Sequence, residues 1–470
     1  MSETKRDYLE LPIVGIVAPA GYGKTEEIAD AIAELKGKQL ILTHTRAGVS
    51  AIRKRLKSKN ICKDSYEINT IAAFCLKWCK AYPKTAGVVI PERVCDIDYQ
   101  AIYNGVKKVF SNEWARRVLK QTYAGMFIDE YQDCVHSQHD IFMNLIGIIP
   151  IRLFGDPLQG IFYWVKTDKM VNWNDFDFDI KKPLLIPWRW EKTNKKLGIL
   201  LDSLRKILLP TLDGENVTVN LRNISECMSI ITSADWNNGL FVYKIKGYQS
   251  IVYLTTIEKK QKSFSQHSGG FFQCDEIKDM SDVEKFVVRV EEKSGTEKAL
   301  VLLEELKGAI NGITSEFKSY INNLQKGKTD FSRITKNGDF GVLLKRICDE
   351  NSPEAVLEII RWLQNSNLKK YRKEYLFRIE KIYKYIIEES VPVSEAIEKL
   401  TFNERFMEHD CTYTRLSSRT VLTKGLEFEC VIIDIRDKMD VRDFYVAMTR
   451  ATKKIYIISD DIQLVFKGIS

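Results

Sequence analysis

Ala18, Pro19, Ala20, Gly21, Tyr22, Gly23, Lys24 and Thr25 set a glycine-containing turn directly before a lysine and a hydroxyl. An apolar run from Leu11 to Val17 precedes them, and Ile28, Ala31, Ile32 and Leu35 follow at helical spacing. Strand, tight turn and helix form the setting of a phosphate-binding loop, where backbone N–H groups and a helix N-terminus converge on an anion. Lys24 would reach the β- and γ-phosphates of a nucleoside triphosphate, and the Thr25 hydroxyl would hold Mg²⁺. Further along, Met126, Phe127 and Ile128 form a short apolar run that ends in Asp129 and Glu130. Carboxylates at the C-terminal end of a buried parallel strand face the crevice where such phosphates lie. Asp129 would serve the metal, and Glu130 would orient or deprotonate the attacking water. A third run, Ile151 to Phe154, leads to Gly155, Asp156 and Gln159. The Gln159 amide can sense a γ-phosphate by hydrogen bonding, and Phe162 and Trp164 beyond it can offer ring faces to a base.

These groups need a common scaffold, and the hydrophobic pattern predicts one. Over the first two hundred residues, short β-rich runs alternate with helical patterns, the signature of a parallel sheet covered by helices. The expected strands are Ile13–Val17, Gln39–Thr43, Met126–Ile128 and Ile151–Phe154, with a short helical insertion at about 83–120. Beyond Pro183, runs at Leu240–Ile245 and Ser250–Thr255 begin a second α/β unit. The stretch 279–408 reads as helical and charged, and strand character returns at Cys430–Ile435 and Lys454–Ile458. The predicted fold class is α/β, with a first P-loop domain over 1–182. A second domain follows in two parts, 183–278 and 409–470, interrupted by the helical insertion 279–408.

At 470 residues, with 44% hydrophobic and 29% charged residues, the chain has the composition of a multi-domain globular protein. No apolar run reaches membrane-spanning length and the charged N-terminus does not resemble a signal peptide, so the expectation is a cytoplasmic protein without a membrane partner. The ten Cys form no CxxC pair, which favours reduced structural thiols over a zinc or iron–sulfur site, and His136 and His139 lack a third ligand nearby. A net charge of +8 permits a polyanionic partner without requiring one. Its distribution says more: Arg46, Arg53, Lys54, Arg55, Lys57, Lys59 and Lys63 follow one another with no acid before Asp64. In a second cluster, Arg361, Lys369, Lys370, Arg372, Lys373, Arg378, Lys381 and Lys384 interleave with Trp362, Tyr371, Tyr375, Phe377 and Tyr383. Two readings stand open there, a nucleic-acid surface or a solvated helix whose aromatics enter the core.

Taken in order, the motifs resemble those of superfamily 1 helicases of the UvrD/Rep/PcrA type. Ala18–Thr25 looks like the family's P-loop, and Leu42–Ala47 and Thr70–Phe74 are similar to its next two elements. Asp129–Asp133 resembles the DExQD signature and Gly155–Trp164 the GDxxQ run with its aromatics. Pro187-Trp188-Arg189 stands where the family has an aromatic–arginine pair. Thr423–Phe428 resembles KGLEF and Tyr445–Ala451 resembles YVALTRA. The resemblance runs from residue 18 to 451. It implies two RecA-like domains that use ATP and Mg²⁺ to travel 3′ to 5′ on single-stranded or tailed DNA. Arg189 and Arg450 would be arginine fingers, Gly425 and Glu427 would serve nucleotide binding, and Glu427 would touch the ribose. Thr43, Thr45, Arg46, Thr70, Phe74, Phe162 and Trp164 would line the strand groove.

The chain also departs from the family pattern. Met1–Leu11 contains no adenine-reading Gln, and Ala72 replaces a family His. Another His is missing near KGLEF, where Val421 and Leu422 stand. The short insertion favours translocation over strand separation. Compact proteins of this kind resemble helicase subunits of bacterial anti-phage systems, such as Gabija-type ones, in which a partner nuclease does the cutting. That gives a second expectation, a nucleotide-gated, DNA-sensing subunit with little unwinding of its own.

Overall fold

Strands buried on both faces organise the N-terminal part of the molecule. The computed structural model describes residues 6–91, 97–161, 168–173, 176, 178–184, 186–221, 226–237, 241–275, 281–406, 414–436 and 439–469. Side chains at 46, 47, 237, 241, 242 and 401–406 lie outside that description. By contact the chain groups into two units, Met1–Gly247 with Thr423–Ser470, and Tyr248–Leu422.

In the first unit, β1 (Ile13–Val17), β2 (Gln39–Thr43), β3 (Tyr66–Thr70), β4 (Gly125–Ile128), β5 (Ile151–Gly155) and β6 (Ile180–Lys181) form a sheet in the order β3-β2-β4-β5-β1-β6. Every pairing is parallel. Residues such as Val14, Ile16, Leu40, Phe127 and Leu153 are fully buried, as expected of parallel strands covered by helices on both faces. Because the strands are parallel, their C-terminal ends share one edge. β5 lies between β4 and β1, so the turn after β1, the carboxylates after β4 and Gln159 after β5 emerge side by side.

β3 is absent from the sequence-based expectation. Its Glu67 and Asn69 interrupt the apolar run, and Glu67 is held by Lys77 and by the Tyr123 hydroxyl. Helices α1 (Lys24–Glu34), α2 (Arg46–Ser58) and α3 (Ile71–Ala81) follow the first three strands. Thr45 and Thr70 cap α2 and α3, accepting hydrogen bonds from Gly48 N at 3.0 Å and Ala73 N at 3.1 Å. Arg55 and Lys59 of the basic run pair with Glu26 on α1 at 2.8 and 2.5 Å. The predicted insertion is indeed helical, with helices at Pro83–Ala86, Tyr99–Phe110 and Glu113–Thr122.

The same unit contains a second parallel ladder, in which Ala451–Ile458 pairs with both Met228–Ile231 and Phe428–Asp434. One expectation fails here. The run Leu240–Ile245 is not a strand; its described part, Phe241–Ile245, is a short helix. Within it Tyr243 is exposed and Ile245 buried. A short apolar run cannot by itself distinguish the two periods.

In the second unit, Arg415–Arg419 pairs in parallel with Ile251–Thr255 and with Gln273–Cys274. This polar strand is buried because its hydroxyls find partners: Ser417 Oγ donates to Gln261 O and Ser418 Oγ to the Asp275 carboxylate. Eight helices then run from Ser281–Glu291 to Val393–Phe406 around a core that includes Phe286, Phe317, Phe340 and Tyr383. The second basic–aromatic cluster follows the core reading. Tyr371, Tyr375 and Tyr383 are buried and Trp362 partly so, Phe377 alone of the five aromatics being exposed, while Arg361 and Lys384 pair with Glu380. No helix among the described residues is long and apolar enough to cross a membrane.

Phe74 is fully buried, packing against Trp78 and Phe110 at ring separations of 6.4 and 6.2 Å. Phe74→Ala should therefore destabilise the fold by about 3–5 kcal/mol, read as a lowered denaturation midpoint. A midpoint equal to that of the wild type would contradict this placement.

Candidate nucleotide site

After β1 the backbone turns through Gly21 (φ +75°) and Gly23 (φ +85°), a left-handed region that favours glycine. Close approach makes the same demand. A Cβ at Gly21 would stand 2.8 Å from the Trp190 ring and 2.9 Å from Arg189 Cβ. The helix Trp188–Glu191 is thus seated on the turn, and Arg189 N donates to Gly21 O at 3.1 Å. Lys24 opens α1 with its side chain buried, and its Nζ donates to Ala18 O at 3.1 Å and Pro19 O at 3.4 Å. Ala20, Tyr22 and Thr25 complete the turn and the first helical residues.

Asp129 ends β4, buried at 5% exposure, and its carboxylate accepts from Glu130 N at 3.0 Å. Glu130 adopts a left-handed backbone (φ +57°), a conformation that costs a non-glycine residue about 1–2 kcal/mol. Such strain persists only where the surroundings enforce it, and here they do. The Gln132 amide donates to the Glu130 carboxylate. Lys424 lies 3.8 Å from that carboxylate, forms an ion pair with Asp133 and donates to Gln159 O at 2.8 Å. Burial and the neighbouring Glu130 push the Asp129 carboxyl up, so it takes a proton more readily than an ordinary aspartate. Burial works against charge on Glu130 as well, but Lys424 and Lys24 outweigh it and hold that carboxyl well below the usual range. The two adjacent acids are thereby driven apart, one toward protonation and the other toward a permanent carboxylate.

Arg450 is 2% exposed. Its guanidinium donates to Val446 O at 3.0 Å, to Thr449 Oγ1 at 2.9 Å and to Leu426 O at 3.4 Å. Burial, joined by the like charge of Arg189, lowers its pKa to about 9. Glu130 acts on it in the opposite sense, which sets the arginine within electrostatic reach of the Glu130 carboxylate. Arg189 donates to Thr449 O at 2.7 Å and pairs with Glu427 at 2.8 Å. The turn at Gly425 (φ +88°) thus places Leu426 and Glu427 against both arginines. Gln159, 3% exposed, donates its amide to Asp156 Oδ2 at 3.0 Å.

Lys24, Glu130, Gln159, Arg189 and Arg450 consequently belong to one contact unit, beside residues the sequence reading left without a role. Lys424, Gln132 and Asp156 lie inside recognised motifs, which was the available signal. Arg205, paired with Asp156 at 2.9 Å, gave none. The residues expected to line a strand groove fare differently. Thr43 is buried at the end of β2, Thr45 and Thr70 are helix caps, and Phe74 belongs to the core. Phe162, Trp164 and the Arg46 side chain lie outside the described residues. His139 Nδ1 meets the Tyr131 hydroxyl, and no group of three His, Cys, Asp or Glu gathers as a metal site among the described residues.

Residues 92–179, which carry the DEYQD and GDPLQ runs, match the UvrD/REP helicase N-terminal domain. The chain is 37% identical over 83 residues to Gabija protein GajB of Bacillus cereus (strain VD045), a match covering 14% of this chain and 17% of that one. Among solved structures, Pif1 helicase from Bacteroides in complex with ADP-AlF3 and ssDNA aligns with 97% of this chain and 90% of its own, at 11% identity and a TM-score of 0.38. Arterivirus nonstructural protein 10 (helicase) with DNA aligns with 96% of this chain and 62% of its own, at 9% identity and a TM-score of 0.35. The motifs set in order from residue 18 to 451, two of them inside the segment that matches the UvrD/REP helicase N-terminal domain, resemble those of UvrD-like superfamily 1 helicases.

Proposed function

We propose that the chain hydrolyses ATP and uses the cycle to move along single-stranded DNA in the 3′ to 5′ direction. The observation that carries this reading is the charge arrangement at the carboxyl edge of β1, β4 and β5. Two buried cations, Lys24 and Arg450, are satisfied by carbonyl and hydroxyl oxygens around a carboxylate held ionised. A triphosphate would draw Lys24 from the Ala18 and Pro19 carbonyls onto its β- and γ-oxygens. Glu130 would orient the attacking water and accept its proton, and Gln159 would hydrogen-bond the γ-phosphate. Arg189 and Arg450 would then stabilise charge on the transferring group.

The Thr25 hydroxyl and the Asp129 carboxylate are hard oxygen donors of the kind that suit Mg²⁺. Bound there, Mg²⁺ neutralises charge on the phosphate oxygens. Trp188, 49% exposed, has its ring 3.1 Å from where a Cβ on Gly23 would stand, and it offers a stacking face for the base. Arg6 and Tyr8 of the N-terminal segment are engaged instead with Glu27 on α1. The carboxyl edge that bears Thr45 and Thr70 would carry the DNA strand, with Phe74 excluded by its burial.

The match to Gabija protein GajB favours a second reading, a nucleotide-gated subunit that works with a partner nuclease and unwinds little. Unwinding of a 3′-tailed duplex by the isolated chain would count against it. For the motor reading, ATP turnover should rise when single-stranded DNA is added, and Lys24→Ala should abolish turnover. Glu130→Gln should lower kcat by about 10²- to 10⁴-fold while ATP stays bound. Turnover unaffected by any nucleic acid would overturn it.

A further inference from the structure

Helix Lys195–Leu208 belongs to none of the recognised motifs, yet two of its side chains reach into the nucleotide site. Arg205 Nη2 lies 2.9 Å from Asp156 Oδ1; Asp156 has no exposed surface and the Arg205 side chain is 12% exposed. Tyr445 lines the same small cavity as Arg205. The other oxygen of Asp156 accepts from Gln159 Nε2 at 3.0 Å, and Asp156 N donates to Gln132 Oε1 at 3.0 Å. The amide nitrogen of Gln132 in turn donates to Glu130. Arg205 is therefore linked through the Asp156 carboxylate to Gln159, whereas the Gln132–Glu130 branch starts from the Asp156 main chain. Three residues earlier on the same helix, Asp202 Oδ1 accepts from the Tyr22 hydroxyl of the P-loop at 3.1 Å. A small cavity separates these groups, lined by Pro19, Ala20, Tyr22, Asp202, Arg205 and Tyr445.

We propose that Asp202 and Arg205 are positioning residues that act on different steps: Asp202 fixes the P-loop through Tyr22, and Arg205 fixes Gln159 through the Asp156 carboxylate. The proposal rests on the reading of Lys24, Glu130 and Gln159 as an ATP-hydrolysing site. A carboxylate in a dry interior cannot stay ionised and oriented without its partner. With Arg205 removed, Asp156 no longer has a fixed rotamer, and the Gln159 amide that donates to its carboxylate loses its reference. Binding groups on the P-loop are untouched by that change. With the Tyr22–Asp202 contact removed, the phosphate-binding turn loosens while the hydrolytic groups keep their chain of hydrogen bonds.

Steady-state ATPase kinetics on the full chain test the separation. Arg205→Met should lower kcat by about 10- to 100-fold, since small misplacement of reacting groups costs up to about 10²-fold, with KM changed less than about 3-fold. Arg205→Lys should recover part of the loss, as it restores the charge without the planar fork. Asp202→Ala and Tyr22→Phe should raise KM by about 2- to 10-fold, the value of one hydrogen bond, with kcat near that of the wild type. Should Arg205→Met fail to fold, Arg205→Lys and Tyr22→Phe read the two arms separately, and unchanged constants in both overturn the proposal. Wild-type turnover with unaltered kcat in Arg205→Met, accompanied only by a lower melting temperature, overturns it too. Absence of turnover in the wild type would instead overturn the hydrolytic reading and the proposal with it.

Discussion

Charged groups removed from water must be answered by other charges or by dense hydrogen bonding, and the nucleotide site is organised by that requirement. Asp133 is answered by Lys424, Asp156 by Arg205 and Arg189 by Glu427. Glu130 is held by Gln132 and by the nearby Lys424. Lys24 and Arg450 are met by carbonyl and hydroxyl oxygens, with no carboxylate in ion-pair contact among the described residues. The pairs fix the geometry, and the two cations met only by neutral oxygens would favour an anionic ligand, as the proposed function requires. A site made of isolated charges at these burials would neutralise itself by proton transfer; this one keeps Glu130 ionised while Asp129 is pushed toward protonation.

Parallel strand order makes that concentration possible. All six strands of the first sheet deliver their following loops to one edge, and β5 sets the loops after β4 and β1 on either side of Gln159. Local backbone then does the fine placement. Glycines at 21 and 23 admit the helix Trp188–Glu191 to within contact of the P-loop, and the left-handed conformation of Glu130 turns its carboxylate toward Lys424. Arg189 is bound to the P-loop by its backbone and to Thr449 and Glu427 by its side chain. Through it the turn after β1 and the end of the helix Val441–Met448 are joined within one unit.

What was legible in the sequence follows from this physics. β1, β4 and β5 are buried, predominantly apolar runs leading into chemically distinctive residues, so pattern and spacing suffice to find them. Tyr66–Thr70 and Arg415–Arg419 are hidden because Glu67, Ser417 and Ser418 are polar, and partners distant in sequence make their burial tolerable. The resemblance marks position 74 as a DNA contact, whereas the ring packs against Trp78 of its own helix and Phe110 of the insertion, the latter a contact no local pattern encodes. Arg205 sits in an ordinary amphipathic helix and acquires its meaning only from Asp156, which the fold, not the spacing, brings to it.

In the proposed cycle Lys24 and Arg450 are held in readiness for a triphosphate beside Glu130. The most direct test is a structure determined with Mg²⁺ and a non-hydrolysable ATP analogue. Lys24 Nζ should then be released from the Ala18 and Pro19 carbonyls and bound to β- and γ-oxygens, with Arg450 contacting the γ-phosphate. Lys24 still bound to those carbonyls, with the triphosphate held elsewhere on the chain, would contradict it.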